Sequence, residues 1–178
     1  MSRARNLILP AFFAALTAIG AWLAVPNPFS PAVPFTLQLL PILLAGNLLG
    51  ARGAFWSQVV YLALGAVGLP VFAHGTQGLG ILFGPTGGYL LGFPLMALLA
   101  GLPWGRSFGG LLVNNLLAVL AVTATGILGL IAFGGMTLPA AFSVAVIFLP
   151  YDLLKGVLAA AVAVAVQRAL PALAVRKS

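Results

Sequence analysis

The feature that most constrains this chain is a series of apolar stretches, each close to 20 residues long, that recur from one end to the other. A helix needs about 20 predominantly apolar residues to cross the hydrocarbon core of a bilayer. Only 5% of the residues are charged, whereas soluble domains carry about 25%. The sequence therefore predicts an all-α integral membrane protein. The short alternating segments that are typical of a membrane β-barrel are absent.

Several kinds of chemistry are disfavoured by what the chain contains. There is no cysteine, which excludes disulfides, thiolate metal sites and cysteine nucleophiles. His74 is the only histidine, so a histidine-based metal site is not expected. The net charge of +7 comes from basic residues scattered at the ends of apolar segments, where such residues set membrane topology. We therefore expect no metal, no cofactor and no nucleic-acid partner.

Prolines, glycines and polar residues separate the apolar sequence into six predicted transmembrane helices. We expect these helices to form one bundle, which is a single domain. The predicted spans are about 7–25, 35–49, 53–69, 87–102, 109–133 and 150–168. Pro150 lies inside a long apolar region, and proline is favoured in the first turn of a helix. We therefore interpret 138–149 as a short helix or re-entrant segment that precedes the last span. One long kinked helix is the alternative, because neighbouring helices can compensate for a proline.

The basic residues predict the orientation of this bundle. If the N-terminus is cytoplasmic, the predicted outer loops contain no lysine or arginine, which agrees with the excess of bases in cytoplasmic loops. The bases on the cytoplasmic side are then Arg3, Arg5, Arg52, Arg106, Arg168, Arg176 and Lys177. An even number of spans also places the C-terminus in the cytoplasm. Lys155 is the one base that this orientation leaves inside a span.

The stretch FLPYDLLKG at 148–156 holds Asp152, the only acidic residue, and Lys155 three residues later. A charge inside a membrane helix costs several kcal/mol, so such residues are functional candidates. Residues at this spacing lie on one helix face, and if Pro150 begins the span, the helix dipole favours the charge of Asp152 in its first turn. We interpret the pair as a clamp for a small molecule near the outer end of the bundle. A structural ion pair and a proton relay are the alternatives.

Two further segments face the outer side in this topology, the glycine-rich loop 71–88 and the stretch VPFTLQ at 33–38. Glycines expose backbone groups to a ligand, and non-helical backbone at membrane depth normally lines a cavity. The candidate ligand-binding residues are Phe35, Thr36, Gln38, Thr76, Gln77, Thr86, Gly87, Gly88 and Tyr89. Together with the charged pair they predict an apolar pocket with a few polar groups. A plain surface turn and an interfacial aromatic residue are the alternatives, and His74 is expected to be a loop residue.

Small residues recur at a spacing of four, which lets helix backbones approach closely in a membrane. The pairs and runs are Gly46/Gly50, Gly84/Gly88/Gly92, Gly105/Gly109, Ala11/Ala15 and Ala14/Ala18. We expect packing within the bundle for most of them. For the alanines of the first span, docking of a membrane partner is the alternative. Asn114 and Asn115 are expected to hydrogen-bond between helices.

Four stretches in order resemble the BioY family, the biotin-specific substrate-binding (S) components of energy-coupling factor transporters. They are VPFTLQ at 33–38, YLALGAVGLPVFA at 61–73, GPTGGYLLGF at 84–93 and PYDLLKG at 150–156. The resemblance implies a non-catalytic, multi-pass subunit in the cell membrane of a prokaryote. It implies capture of biotin at the outer face and inward delivery with a transmembrane coupling (T) component and two cytoplasmic ABC-type ATPases.

The resemblance also implies roles for individual residues. Asp152 and Lys155 are implied to bind ligand, as are Gly87, Gly88 and Tyr89. Ala11, Ala14, Ala15 and Ala18 stand where the T component is implied to dock. An S component or solitary carrier for another small vitamin is the alternative function. An intramembrane enzyme is disfavoured, because a single acid cannot form a carboxylate dyad and no HExxH motif is present.

Overall fold

The computed structural model describes residues 3–27, 33–104 and 107–170, with residues 3–6 described by their backbone alone. Helices dominate this part of the chain, and its one β-type contact is a single bridge between Val25 and Phe35. The helices are α1 (Arg3–Trp22), α2 (Leu39–Ala66), α3 (Leu79–Leu82), α4 (Gly87–Ala100), α5 (Phe108–Ala132) and α6 (Leu138–Ala169), with a 3-10 turn at Ala73–Gly75. By length and composition α5 and α6 can each cross a membrane, and α2 reaches this length only when its two arms, which meet at Gly50, are counted together. The helices α1 and α4 contain shorter apolar helices.

The long helix α2 consists of two arms that meet at Gly50. Gly50 has φ 76° and ψ 171°, a conformation that is open almost only to glycine. The Gln38 Nε2 atom, just before α2, lies 2.7 Å from the Tyr61 hydroxyl. In a straight helix the two residues would be roughly 35 Å apart. The chain therefore doubles back at Gly50, and its arms correspond to the second and third predicted spans.

The first arm begins at Leu39, whereas the predicted span begins at residue 35. The backbone of Phe35 pairs with that of Val25 in both directions, with N···O distances of 2.8 and 3.0 Å. Because this pairing holds Phe35 in an extended conformation, the stretch 33–38 is a connection rather than a helix start.

The break predicted at Pro150 is wrong, because α6 runs through it as one helix of 32 residues. Pro139 instead occupies the first turn of this helix, where a missing N–H costs nothing. Asp152 consequently lies about 20 Å along the helix axis from Leu138. The helix dipole acts only near helix ends, so its predicted effect on Asp152 is wrong as well.

Glycines at the predicted packing positions bring the helices close together. A methyl group on Gly88 of α4 would lie 2.6 Å from the Cα atom of Gly129 on α5. A methyl group on Gly46 of α2 would lie 2.8 Å from the carbonyl carbon of Ala100 on α4. No side chain fits at these separations, so both glycines serve helix packing.

Two buried asparagines of α5 bond to other parts of the bundle, and the predicted bond between helices is confirmed for Asn115. Asn115 Nδ2 donates to the carbonyl of Gly156 on α6 at 2.8 Å. Asn114 Nδ2 donates to the carbonyl of Leu102, just after α4, at 2.7 Å. In a membrane such bonds help to hold neighbouring elements together, and here they fix α5 against α6 and against the connection that follows α4.

The end of α6 lies beside the Gly50 turn, because Gln167 Nε2 donates to the carbonyl of Asn47 at 3.1 Å. Arg52 and Arg168 therefore lie at the same end of the bundle, as their predicted common side requires. Arg106, Arg176 and Lys177 lie outside the described residues, and the side chains of Arg3 and Arg5 are not described. The orientation across the membrane stays a prediction.

The four alanines of α1 do not form one exposed face. Ala14 is buried at 2% exposure, and Ala18 packs partly buried against the same core. Ala11 and Ala15 are exposed. Because Ala14 and Ala18 already face this bundle, only Ala11 and Ala15 of the four are exposed to a partner, and docking on this helix stays a prediction.

Candidate functional site

A pocket lies between α2, α4, α6 and the two connections 33–38 and 71–86. Sites for small molecules typically have mostly apolar walls and a small number of polar groups. Its polar lining residues are Thr36, Gln38, Thr76, Thr86, Tyr89, Asp152 and Lys155. Its apolar lining residues are Val33, Pro34, Leu39, Phe72, Ala73, Ile81, Leu90, Phe93 and Phe148. The pocket is thus largely apolar, with a few polar groups that can orient a ligand.

The charged pair lies on the wall formed by α6. Lys155 Nζ lies 2.8 Å from Asp152 Oδ1, and Asp152 is only 6% exposed. Phe148, four residues before Asp152, presents its ring on the same helix face. An unpaired charge at this depth would cost several kcal/mol, so each partner makes the other tolerable. An ammonium has three N–H donors, and one of them suffices for this bond.

Two connected polar residues lie on the wall formed by the stretch 33–38. The Thr36 hydroxyl donates to Gln38 Oε1 at 3.0 Å, and Gln38 Nε2 donates to the Tyr61 hydroxyl at 2.7 Å. Tyr61 in turn donates to the Val71 carbonyl at 3.1 Å. Thr36 and Gln38 therefore take fixed positions in the pocket wall.

Tyr89 contributes a hydroxyl group from α4. Its oxygen is buried and has no hydrogen-bond partner among the described residues. A methyl group on Gly126 of α5 would overlap the Tyr89 ring, so the absence of a side chain there makes room for it. The hydroxyl thus lacks a partner among the described residues, and Tyr89 itself lines the pocket.

Some of the predicted site residues lie near the pocket without lining it. Gly87 packs against the carbonyl of Leu82, and Gly88 packs against α5. Both glycines are buried within the start of α4, so the structure gives them a packing position rather than a ligand contact.

Phe35 and Gln77 also lie outside the pocket lining. The Phe35 ring lies 4.7 Å from that of Phe148 and 5.1 Å from that of Tyr151, so it fastens the stretch 33–38 to α6. Gln77 is exposed, whereas Thr76 beside it lines the pocket. His74 is exposed with φ 56° in the 3-10 turn, as expected for a loop residue.

Sequence reasoning gave no role to several residues that build this site. Phe148 and Phe93 lie four residues from Asp152 and from Tyr89, so helical spacing places each on the face of a residue already singled out. Phe72 lies outside the predicted spans, and Tyr61 does not lie at helical spacing from a residue already singled out. Tyr61 is a polar residue within an apolar span, and only the doubling back at Gly50 reveals that it meets Gln38.

Comparison with known proteins covers nearly the whole chain. Residues 1–172 match the BioY family. The biotin transporter BioY of Thermotoga maritima is 37% identical over 167 residues, which are 92% of this chain and 96% of that protein. The biotin transporter BioY of Rhizobium etli is 36% identical over 187 residues, with 97% and 98% covered.

A third relative matches over a shorter region. The probable biotin transporter BioY of Lysinibacillus sphaericus is 52% identical over 96 residues, which are 54% of this chain and 47% of that protein. The chain thus aligns with about half the length of that relative.

Solved structures agree with the family match. The crystal structure of the S-component for biotin from an ECF-type ABC transporter has a TM-score of 0.86 to this chain, at 28% identity, and covers 94% of this chain and 95% of that one. The S component of a bacterial ECF transporter shares the fold at a TM-score of 0.64 and 18% identity, with 96% of this chain and 98% of that one covered. On the family match and the relatives that align over nearly its full length, the protein belongs to the BioY family.

Proposed function

We propose that the protein is the S component of an energy-coupling factor transporter and that it captures biotin in the pocket beside Asp152 and Lys155. The observation that carries the proposal is a buried ion pair in the wall of a largely apolar pocket, in a member of this family. Intramembrane ionisable residues are rare and mark ligand or ion pathways. A pocket that keeps two of them is suited to a ligand with polar ends and an apolar middle.

Biotin has this distribution of groups. Its ureido ring carries two N–H donors and a carbonyl, its thiophane ring and valeryl chain are apolar, and it ends in a carboxylate. Asp152 accepts a ureido N–H in this proposal, and Lys155 binds either the ureido oxygen or the carboxylate. The rings of Phe72, Phe93 and Phe148 cover the apolar middle, and Tyr89 supplies a further hydrogen bond.

We further propose that transport depends on partner subunits, a transmembrane T component and two cytoplasmic ABC-type ATPases. The solved relative at TM-score 0.86 comes from an ECF-type ABC transporter. The 178 residues contain no phosphate-binding GxxxxGK[ST] motif, so ATP hydrolysis belongs to the partners. The protein itself lies in the cell membrane of a prokaryote, spans it several times and has no catalytic role.

A ligand panel tests the biotin assignment. The purified protein in detergent is unfolded by heat in the presence of biotin, thiamine or riboflavin. A ligand that binds only the folded state stabilises it by about 2.7 kcal/mol at a hundred times its Kd. Biotin alone is expected to raise the Tm in proportion to the logarithm of its concentration. Stabilisation by another vitamin and not by biotin would favour the alternative S component, and no stabilisation by any would overturn the proposal.

The exposed alanine stripe of α1 is the proposed docking face for the T component. Ala15→Trp places a bulky ring on this stripe and is expected to abolish co-purification with the T component and the ATPases, while biotin binding is retained. Ala165→Trp is the matched control, because Ala165 is an exposed alanine on α6. Co-purification that survives Ala15→Trp would remove docking from this face.

A further inference from the structure

Tyr61 joins the two connections that line the pocket, although its own side chain does not line it. It is fully buried, at 0% exposure. Its hydroxyl accepts a hydrogen bond from Gln38, at the end of the stretch 33–38, and donates one to the carbonyl of Val71, at the start of the connection 71–86. A change at Tyr61 therefore reaches both connections at once.

The direction of this hydrogen-bond chain is fixed by the Val71 carbonyl, which can only accept. The Tyr61 hydroxyl must donate its single proton there, so its oxygen is left to accept from Gln38. Gln38 must then turn its NH₂ group toward Tyr61. Its amide oxygen consequently faces Thr36, and the Thr36 hydroxyl donates its proton to it at 3.0 Å.

Thr36, the last residue in this series of hydrogen bonds, is thereby left as an acceptor. Once the Thr36 hydroxyl proton is committed to Gln38, the Thr36 oxygen has only lone pairs to offer, and Thr36 is one of the residues that line the pocket. A ligand group at this position must bring an N–H or an O–H. A ligand carbonyl or ether oxygen there would face the lone pairs of the Thr36 oxygen, with no proton available to form a hydrogen bond.

We propose that Tyr61 is a positioning residue that orients the Gln38 amide and makes Thr36 an acceptor selective for an N–H donor of the ligand. The inference rests on the proposed function and deepens it. Asp152 is the second acceptor in the same pocket, so the preferred ligand carries two N–H donors, as a cyclic urea does. Tyr61 acts through Gln38 and Thr36 and does not itself contact the ligand.

The surroundings of Tyr61 allow its hydroxyl to be removed without removing its packing. Its ring lies edge-on to that of Phe72 at 5.7 Å and tilted to that of Phe93 at 6.3 Å, and both neighbours line the pocket. Tyr61→Phe keeps these ring contacts and deletes the hydroxyl proton that fixes the direction of these hydrogen bonds. The Gln38 amide is then free to rotate, and Thr36 is free to donate.

The test compares biotin Kd values for the wild type, Tyr61→Phe, Thr36→Val and the double variant. Each single change is expected to weaken binding about tenfold, which is the usual effect of one hydrogen bond. Because both act at the same ligand atom, the double variant is expected to bind like Thr36→Val alone. Thr36→Ser, which keeps the hydroxyl, is expected to retain wild-type affinity. A loss of about a hundredfold in the double variant would mean that the two changes act independently and would overturn the inference. Undiminished binding by Tyr61→Phe would overturn it as well.

A ligand change provides a second readout that does not depend on Tyr61→Phe being well folded. Biotin methylated at one or the other ureido nitrogen lacks one N–H. One of these isomers is expected to bind the wild type much less tightly than biotin does, and to lose most of that penalty in Thr36→Val. Equal penalties in both proteins for both isomers would contradict a Thr36 acceptor. Failure of the wild type to bind biotin would instead refute the proposed function.

Discussion

Tyr89 carries a hydroxyl group whose oxygen is buried in the pocket wall, without a partner among the described residues. A buried polar group without a hydrogen bond costs stability, so we expect Tyr89→Phe to leave the ligand-free protein as stable as the wild type, or about 1 kcal/mol more stable. Biotin affinity is expected to fall by about two- to tenfold, because the ligand loses a partner. Thermal unfolding and equilibrium binding measure the two effects.

Tyr151→Phe is the matched control for this change. Tyr151 is 55% exposed and does not line the pocket, so both stability and affinity are expected to stay at wild-type values. A clear loss of ligand-free stability in Tyr89→Phe would mean that its hydroxyl has a structural partner and is not held ready for a ligand.

Asp152 and Lys155 stabilise each other, and their variants should show this in the ligand-free protein. Lys155→Met leaves a buried carboxylate unpaired, which typically costs about 3–5 kcal/mol. The double variant Asp152→Asn/Lys155→Met removes both charges and is expected to regain most of that loss. Thermal unfolding without ligand measures the difference. A double variant no more stable than the single one would contradict the coupling of the two charges.

Gly50 is where the two arms of α2 meet, and its conformation belongs to a region that costs other residues about 1–3 kcal/mol. Gly50→Ala is expected to lower the free energy of unfolding by that amount. Gly109→Ala is the control, since Gly109 lies in α5 with no atom near its Cβ position and alanine is the better helix former. Equal stability of the two variants would mean that the turn at Gly50 does not depend on glycine.

The helices were predictable where apolar length and helix-breaking residues agree. The span predicted at 109–133 corresponds to α5, and the one at 87–102 to α4, within two residues at each end. Pro150 misled the prediction, because its favoured place at a helix start and its toleration inside a membrane helix follow from the same sequence. The stretch 33–38 misled it too, since the pairing of Phe35 with Val25 is a contact between residues ten apart.

The polar groups of the pocket were more predictable than its geometry. An acid and a base in an apolar helix stand out from composition alone, and the structure places both in the pocket wall. Which neighbours of Tyr89 face the pocket depends on how closely α4 approaches α5. That approach turns Gly87 and Gly88 into packing residues. The spacing of Gly84, Gly88 and Gly92 predicts a close approach at Gly88, but no local pattern specifies which helix it meets.

The orientation of the whole bundle can be tested because the chain contains no cysteine. Single cysteines are introduced at Gln77 and at Ala169, which are both exposed. Ala169 lies near the turn between the two arms of α2, which Gln167 contacts. Gln77 lies at the other end of the bundle, because Gly78 bonds to Gly65 at the end of α2. A membrane-impermeant maleimide is expected to label Gln77→Cys in intact cells and Ala169→Cys only after the membrane is disrupted. The reverse pattern would invert the orientation, and labelling of both in intact cells would contradict the even number of crossings.

The central claim is that the protein binds biotin through Asp152 and Lys155, and equilibrium binding of radiolabelled biotin tests it most directly. The wild type is compared with Asp152→Asn, with Lys155→Ala and with Arg168→Ala, in which an exposed base of the same helix is removed. Loss of a hydrogen bond between a charged group and the ligand typically costs about 1.5–3 kcal/mol. We expect tight binding by the wild type and Arg168→Ala, and a loss of at least about tenfold in Asp152→Asn and Lys155→Ala. Undiminished binding by Asp152→Asn and Lys155→Ala would contradict the claim and leave the pair a structural bridge.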